Sequence, residues 1–239
     1  MTPGPRLVAG ILLGFVSAGV HSPPARAAEP LHHDIRLVVN PNDGKITVAD
    51  RITVSGRRSV TLGVAPWMRM SDIRVDGNVI GKGAPSQSLT VAMPSLGTHR
   101  IDVAAEGVVP KIDRDATMQR AGSGPAADSE GLYLPGWARW FPGTSDEAIS
   151  YRLNVETPAA HRAAATGTLR SEELGAKSNT SVFASQTPLE PPSVFAGPYA
   201  VAERRSGRLR LRTYFHRAAA PLAESYLEAA ERYIRSFEQ

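Results

Sequence analysis

Hydrophobic and polar residues alternate through most of the first half of the chain. Ile35, Leu37 and Val39 share one face of a strand, and Ile46, Val48, Ile52 and Val54 resume the alternation beyond Asn42-Asp43-Gly44, where glycine reaches positive φ at little cost. This spacing predicts a hairpin. Further strands are predicted at Val60 to Val64, at Ile73 and Val75 turning through Asp76-Gly77 into Val79 and Ile80, at Leu89 to Met93, and at His99 to Ala105. Turn residues recur at the short intervals of an all-β chain and no helical period interrupts them, so a β-sandwich or strongly twisted sheet is expected.

Charged and small residues from Lys111 to Glu130, including Ala121-Gly122-Ser123-Gly124-Pro125, predict a surface loop. Gly131 to Pro142 follows and holds two of the three tryptophans. Trp137, Trp140, Phe141 and the later Tyr151 are expected to form the inner seam of the sandwich, because large rings dominate the packing of whatever they touch. Ile149 to Glu156 predicts a core strand, Arg162 to Leu169 a second extended piece, Ser171 to Thr180 a polar connection and Val182 to Gln186 another strand. Pro188, Pro191 and Pro192 impose an extended link. Val194 to Val201 and Leu209 to Phe215 complete the strands. The period then changes at Pro221. Leu222, Tyr226, Leu227, Ala230, Tyr233, Ile234 and Phe237 recur at three- and four-residue spacing, with Glu224, Glu228, Glu231 and Arg235 opposite, which predicts one amphipathic helix.

Composition narrows the class. At 42% apolar and 21% charged residues the chain is an ordinary folded globular protein. Residues 1–27 are expected to be a signal peptide: Arg6 supplies a positive start, Leu7 to Val20 an apolar run, and Ala25-Arg26-Ala27 a small-x-small cleavage site. The run is about 14 residues long, short of the roughly 20 that a membrane helix needs. Loss of Arg6 and Arg26 leaves 25 basic residues against 23 acidic ones, too even a balance to expect nucleic acid as a partner. Absence of cysteine excludes disulfides, thiolate chemistry and a lipid anchor on cysteine.

Several segments together resemble a known family. These are His33 to Pro41, Trp140-Phe141-Pro142 with Tyr151 to Pro158 and Ala165-Thr166-Gly167, and Phe195-Ala196-Gly197-Pro198-Tyr199. In order and spacing they resemble the amino-terminal part of the aminopeptidase N family of zinc metallopeptidases (gluzincins), over roughly residues 31 to 239. The resemblance implies a saddle-shaped β-sandwich and a strand-to-helix passage, Leu209 to Phe237, leading into a catalytic domain. It implies zinc held by an H-E-x-x-H helix and a substrate amine met by a Gly-x-Met-Glu-Asn strand, and neither motif occurs here. The histidines are His21, His32, His33, His99, His161 and His216, and no two are four apart. No catalytic residue and no metal ligand are therefore expected in this chain, and zinc is expected only in a downstream catalytic domain. In the family the segment before Trp-Phe-Pro lends a Gln or Glu to the substrate-amine pocket. Glu130 and Tyr133 are the nearest positions, so they are the candidate substrate-binding residues, although neither matches the family's pattern closely.

Other candidates carry plainer expectations. His32-His33-Asp34 has metal-ligand residue types, but adjacent strand residues point to opposite faces, so a solvated strand entrance is expected. His161 and His216 stand alone and are expected at the surface or in a hydrogen bond. Asp113-Arg114-Asp115 and Asp146-Glu147 are expected as solvated charges, and Ser123 lacks the strand and helix a nucleophile turn requires. Asn179-Thr180-Ser181 is a glycosylation sequon. Arg204, Arg205, Arg208, Arg210 and Arg212 are the nearest approach to a basic cluster; Arg208, Arg210 and Arg212 alternate with Leu209, Leu211 and Thr213, so a solvated strand face is expected.

The whole reads as a mainly β protein. A saddle-like β-sandwich is expected over residues 28–207, and residues 208–239 as the strand and helix that begin a second, catalytic-type domain. The chain is expected to be exported, periplasmic or extracellular, with no stable membrane span after signal cleavage. Its expected partner is a peptidase catalytic domain, continuous or separately encoded, docking on the C-terminal helix. The alternative is a secreted β-sandwich binding or scaffold module without peptidase activity, which would bury the apolar helix face against its own sandwich.

Overall fold

In a computed structural model of the chain, which describes residues 29–81, 86–111, 124–144 and 147–237, the alternating pattern forms strands wherever one face needs covering. Residues 1–27, where a signal peptide is expected, and the expectations on Asp113-Arg114-Asp115, Ser123 and Asp146 lie outside the described residues. Strands β1 (His32–Asn40) and β2 (Lys45–Ser55) pair antiparallel across a turn with Gly44 at φ 69°. They are followed by β3 (Ser59–Gly63), β4 (Met68–Val75), β5 (Asn78–Gly81), β6 (Ser88–Ala92) and β7 (Thr98–Val108). Next come β8 (Ala126–Asp128), β9 (Gly131–Leu134), a 3-10 turn at Gly136–Ala138, β10 (Ile149–Pro158), β11 (Arg162–Ala165) and β12 (Thr168–Leu174). Then follow β13 (Ser178–Leu189), β14 (Val194–Gly197), β15 (Tyr199–Ser206), β16 (Leu209–His216), a second 3-10 turn and helix α1 (Ala223–Phe237).

The large sheet has the order β12-β13-β10-β1-β2-β7-β4-β5. Every described pairing in it is antiparallel except β1 with β10, which runs parallel, His32 opposite Ser150 and Leu37 opposite Val155. A four-stranded sheet, β11-β14-β9-β8, faces it, with the β3–β6 pair alongside. One hydrophobic core joins them. Ile35, Leu37, Ile46, Ile52, Leu153 and Val155 from the large sheet meet Leu132, Leu134, Val194 and Ala196 from the small one. The result is a β-sandwich with a C-terminal helix and no closed barrel.

The aromatic seam forms with one correction. Trp140, Phe141 and Tyr151 are buried, and the Trp140 indole N–H donates to the Pro192 carbonyl at 3.1 Å. Trp137, by contrast, is 63% exposed, because the 3-10 turn rotates it away from the core while Ala138 and Trp140 face inward. Ser171 to Thr180 is also not a connection. It comprises most of β12, a turn at Gly175 and the start of β13; β12 is an edge strand with solvent on one side, so its polar side chains leave no hydrophobic alternation to read.

Strands β15 and β16 form a two-stranded sheet of their own, and α1 lies on it, burying Leu227. The boundary expected at Gly207 falls in the turn of this hairpin. The chain changes sheets at Gly197-Pro198. The arginines expected on a solvated strand face are largely engaged. Arg204 pairs with Glu224, Glu228 and Glu231 of the helix, and Arg212 meets Glu172 of β12 at 2.6 Å and Glu203 at 3.1 Å. Their anions are too far along the chain for a strand pattern to reveal.

Candidate functional site

The two candidate substrate-binding residues lie on the outer side of the small sheet. Leu132, Leu134, Val194 and Ala196 face the core, so the intervening Tyr133 and Phe195 face outward. They are register partners on β9 and β14, and their rings stack with centroids 4.5 Å apart and planes 16° from parallel. Glu130 sits in the β8–β9 turn, its amide donating to Asp128 Oδ1 at 2.8 Å. Together with Ala126, Tyr199 and His216, these residues line an open cleft of about 290 Å3.

Two glycines make room for its wall. Gly131 has φ 152°, and a Cβ there would lie 2.7 Å from the Ala196 carbonyl; a Cβ on Gly197 would lie 2.6 Å from the Tyr199 ring. Tyr199 therefore packs directly on backbone, edge-on to His216 at 5.0 Å and to Tyr214 at 6.2 Å. Burial pushes the Tyr199 hydroxyl above its ordinary pKa, so it stays protonated and able to donate a hydrogen bond. His216 Nδ1 approaches Glu130 at 3.7 Å, but both side chains are largely exposed and the pair is weak. Carboxylates on the rim of an aromatic floor suit a cationic group. Among the described residues that line the cleft, no serine, threonine or cysteine nucleophile stands beside a base. Phe195, Tyr199 and His216 were not marked by the sequence pattern as site residues. The signal was present in Phe195-Ala196-Gly197-Pro198-Tyr199, where a glycine separates two aromatic residues that must share the backbone's surface.

The remaining candidates fall elsewhere. His32 is exposed, its ring bonded to the Ser150 hydroxyl at 2.8 Å. His33 is not solvated at all. It points inward in phase with Ile35 and Leu37, and its Nδ1 lies 2.7 Å from Asp50 Oδ2, both side chains fully buried, with Phe141 edge-on to the imidazole. His161 is also buried rather than on the surface, and among the described residues neither ring nitrogen has a hydrogen-bond partner. Its burial lowers the imidazole pKa. The sequon is closed off in the folded state. The Asn179 amide nitrogen is 95% covered with its residue and donates to the carbonyls of Ala159 and His161 at 2.9 and 2.7 Å. Glu147 binds Arg57 and the Thr144 hydroxyl.

A metal centre finds no fit in this geometry. Among the described residues no three His, Cys, Asp or Glu side chains converge, and the buried His33–Asp50 pair offers only two donors in an apolar core.

No protein-family model matches the sequence, and no curated protein matches it. Among solved structures the fold is shared. An M1 zinc metallopeptidase from Deinococcus radiodurans, a mutant bound to a Tyr-Ser-Ala substrate, is similar with a TM-score of 0.60 and 19% identity, over 79% of this chain and 47% of that one. A two-domain M1 zinc metallopeptidase mutant bound to L-arginine gives a TM-score of 0.60 and 18% identity, over 77% of this chain and 47% of that one. Aminopeptidase A of Legionella pneumophila, in complex with aspartic acid, gives 0.62 and 15%, over 81% of this chain and 25% of that one. At these identities the likeness is one of fold. The chain spans about half the length of the first two structures and a quarter of the third.

Proposed function

We propose that this chain is the amino-terminal domain of an exported aminopeptidase N-like zinc metallopeptidase, and that by itself it does not hydrolyse peptides. The observation that carries the reading is the fold likeness to M1 zinc metallopeptidases at a TM-score near 0.6 over about four-fifths of the chain, joined to the ordered motifs from His33 to Tyr199. Neither H-E-x-x-H nor Gly-x-Met-Glu-Asn occurs in the 239 residues, which supports assigning zinc and the chemistry to a catalytic domain beyond them. In this reading residues 1–27 direct export, the sandwich runs from residue 28 to the change of sheets at Gly197, and the β15–β16 hairpin with α1 begins the catalytic-type domain.

Within that reading, the Glu130–Tyr133 cleft is the wall that the sandwich contributes to the substrate-amine pocket. Glu130 supplies negative charge near the free amine of a peptide, and the Tyr133–Phe195 stack gives an apolar surface beside it. The related structures named above hold a peptide, L-arginine or aspartic acid, and ligands of this kind would be the expected substrates and products.

The helix favours a partner domain over a self-contained module. Leu227 is buried on the β15–β16 sheet and Ile234 is half-buried, but Tyr226, Tyr233 and Phe237 are 56%, 66% and 72% exposed, whereas a module without a partner would cover all five. The test is direct. The purified chain should carry no stoichiometric zinc by elemental analysis and release no chromophore from amino-acid anilides, while a polypeptide extended in frame into a catalytic domain should do both. One tightly held zinc per chain, or anilide turnover by the chain alone, would overturn the proposal.

A further inference from the structure

We propose that Ser95, His99 and Asp76 form a reactive centre that needs no metal, in which Ser95 is acylated by activated carboxylic esters. The three side chains stand in relay at one end of the large sheet. Ser95 Oγ lies 2.9 Å from His99 Nε2, and His99 Nδ1 lies 2.8 Å from Asp76 Oδ2.

Backbone contacts place each member. His99 is the second residue of β7, and its side chain is only 10% exposed. Asp76 opens the tight turn between β4 and β5, at φ 50° with Gly77 at φ 84°, a left-handed pair that Asp and Gly accept. Its amide donates to the Arg100 carbonyl at 2.9 Å, and its Oδ1 accepts the Arg100 amide at 2.9 Å, so the carboxylate is tied to the strand that carries His99. Ser95 sits in the connection from β6 to β7, where the Leu96 carbonyl accepts from the Gly56 amide at 3.2 Å. The Gly97 amide donates to Ser95 Oγ at 3.0 Å and fixes the hydroxyl toward the imidazole. Three separate turns and strands thus hold one line of hydrogen bonds before any ligand arrives, and such preorganisation is what proximity catalysis requires.

The hydrogen bonds assign the roles. The Arg100 amide and the His99 ring hold the Asp76 carboxyl below the ordinary carboxylate range, so it is an anion at neutral pH. It accepts the Nδ1 proton, which leaves Nε2 as the basic nitrogen facing the serine hydroxyl. As Ser95 Oγ bonds to the ester carbonyl carbon, its proton passes to Nε2; the bond from that carbon to the leaving oxygen then breaks, and His99 returns the proton to the departing alcohol. Water repeats the sequence on the acyl-serine, releasing the carboxylic acid and restoring the hydroxyl. Room for the carbonyl is kept by Gly97, where a Cβ would stand 3.1 Å from Ser95 Oγ and 4.0 Å from His99 Nε2. The Asp76 side chain is 42% exposed, so water weakens its hold on an imidazolium. The substrate is accordingly an ester of a phenol or similarly acidic alcohol, whose departure needs little help from an acid, and not an amide. The centre requires neither zinc nor a catalytic domain, so it stands or falls apart from the peptidase reading.

The test is mass spectrometry of the purified chain after brief exposure, with a chelator present, to p-nitrophenyl acetate and to a fluorophosphonate, whose fluoride leaves as the serine oxygen bonds to phosphorus. The adduct should fall on Ser95, forming about a hundredfold or more faster than on Ser59, an exposed serine of β3. Ser95→Ala should remove it, and His99→Gln should slow it by about a hundredfold. Asp76→Asn keeps an oxygen for the Arg100 amide; it should slow labelling while the nitrogen NMR spectrum of His99 moves from the Nδ1–H to the Nε2–H tautomer. Ser95 and Asp76 are exposed, so their variants should keep the wild-type unfolding midpoint, and if His99→Gln lowers the midpoint, the wild-type ratio of Ser95 to Ser59 labelling decides. No adduct on Ser95, equal labelling of Ser95 and Ser59, or a folded His99→Gln chain that labels at the wild-type rate would each overturn the assignment.

Discussion

The His33–Asp50 pair is the residue with the most to lose from small changes. The two polar side chains are fully buried against Phe141, and among the described residues His33 Nε2 and Asp50 Oδ1 have no partner. Breaking such a pair strands its other half, so Asp50→Ala should destabilise by about 3–5 kcal/mol, whereas a combined His33→Leu, Asp50→Val replacement should recover most of that loss. Urea midpoints of the two single variants and the double variant measure it, and additive losses would show that the pair does not act as a unit. Trp140→Ala should cost about 3–5 kcal/mol as well, since the ring is wholly enclosed; a loss below about 1 kcal/mol would contradict its burial. His161 predicts a pH dependence. Its folded pKa lies below the ordinary value, so as pH falls through about 6.5 the unfolded chain takes up a proton that the folded one refuses. Stability is therefore full above that pH and declines below it. The midpoint should drop more between pH 7.5 and 5 in the wild type than in His161→Leu, and identical slopes would refute the assignment. The buried environment of His33 and Asp50 was partly legible, that of His161 was not. Asp50 falls in phase with Ile46, Val48, Ile52 and Val54, and His33 with Ile35, Leu37 and Val39, so phase alone marks two polar residues that the core must reconcile. Their mutual partnership was not legible, because it depends on the register between strands.

At the scale of elements, one network fastens the β15–β16 hairpin to the sandwich. Burial tends to raise the Glu172 carboxyl, but hydrogen bonds from Arg162 and Arg212 outweigh it and hold the pKa below the ordinary carboxylate value. Both arginines come from different sheets, Arg162 from β11 and Arg212 from β16, so Glu172 on β12 is the point at which three sheets meet. Glu172→Gln should leave the partly buried Arg162 without its anion and Arg212 with Glu203 alone, and cost about 3 kcal/mol. Amide exchange should then accelerate in Tyr199–Ser206 and Leu209–His216 while β1 and β10 stay protected; uniform acceleration would show that the hairpin is not separately fastened. Strands with one wet and one dry face were readable from alternation alone, as was α1 from its period. The edge strand β12 was not, since its residues Ser171, Glu172 and Glu173 satisfy the backbone ladder without burying apolar surface.

For the whole molecule, the sandwich was legible because two-residue alternation needs a covering layer, but the site was legible only through resemblance. Glu130 and Tyr133 come together with Phe195, Tyr199 and His216 from segments more than sixty residues away, and nothing local announces that meeting. The order of the large sheet has a further consequence. Strand β1 occupies its centre, with β2 on one side and β10 on the other, and residues 56–148 of the chain separate those two neighbours. During synthesis β1, β2, β7 and β4 can assemble first, but the β10 side of β1 stays an open edge of unpaired amides and carbonyls until residues 149–158 arrive. A nascent chain of this kind is an acceptor for a strand from any neighbour, so the vulnerable moment in its biogenesis is the interval before β10 closes the seam.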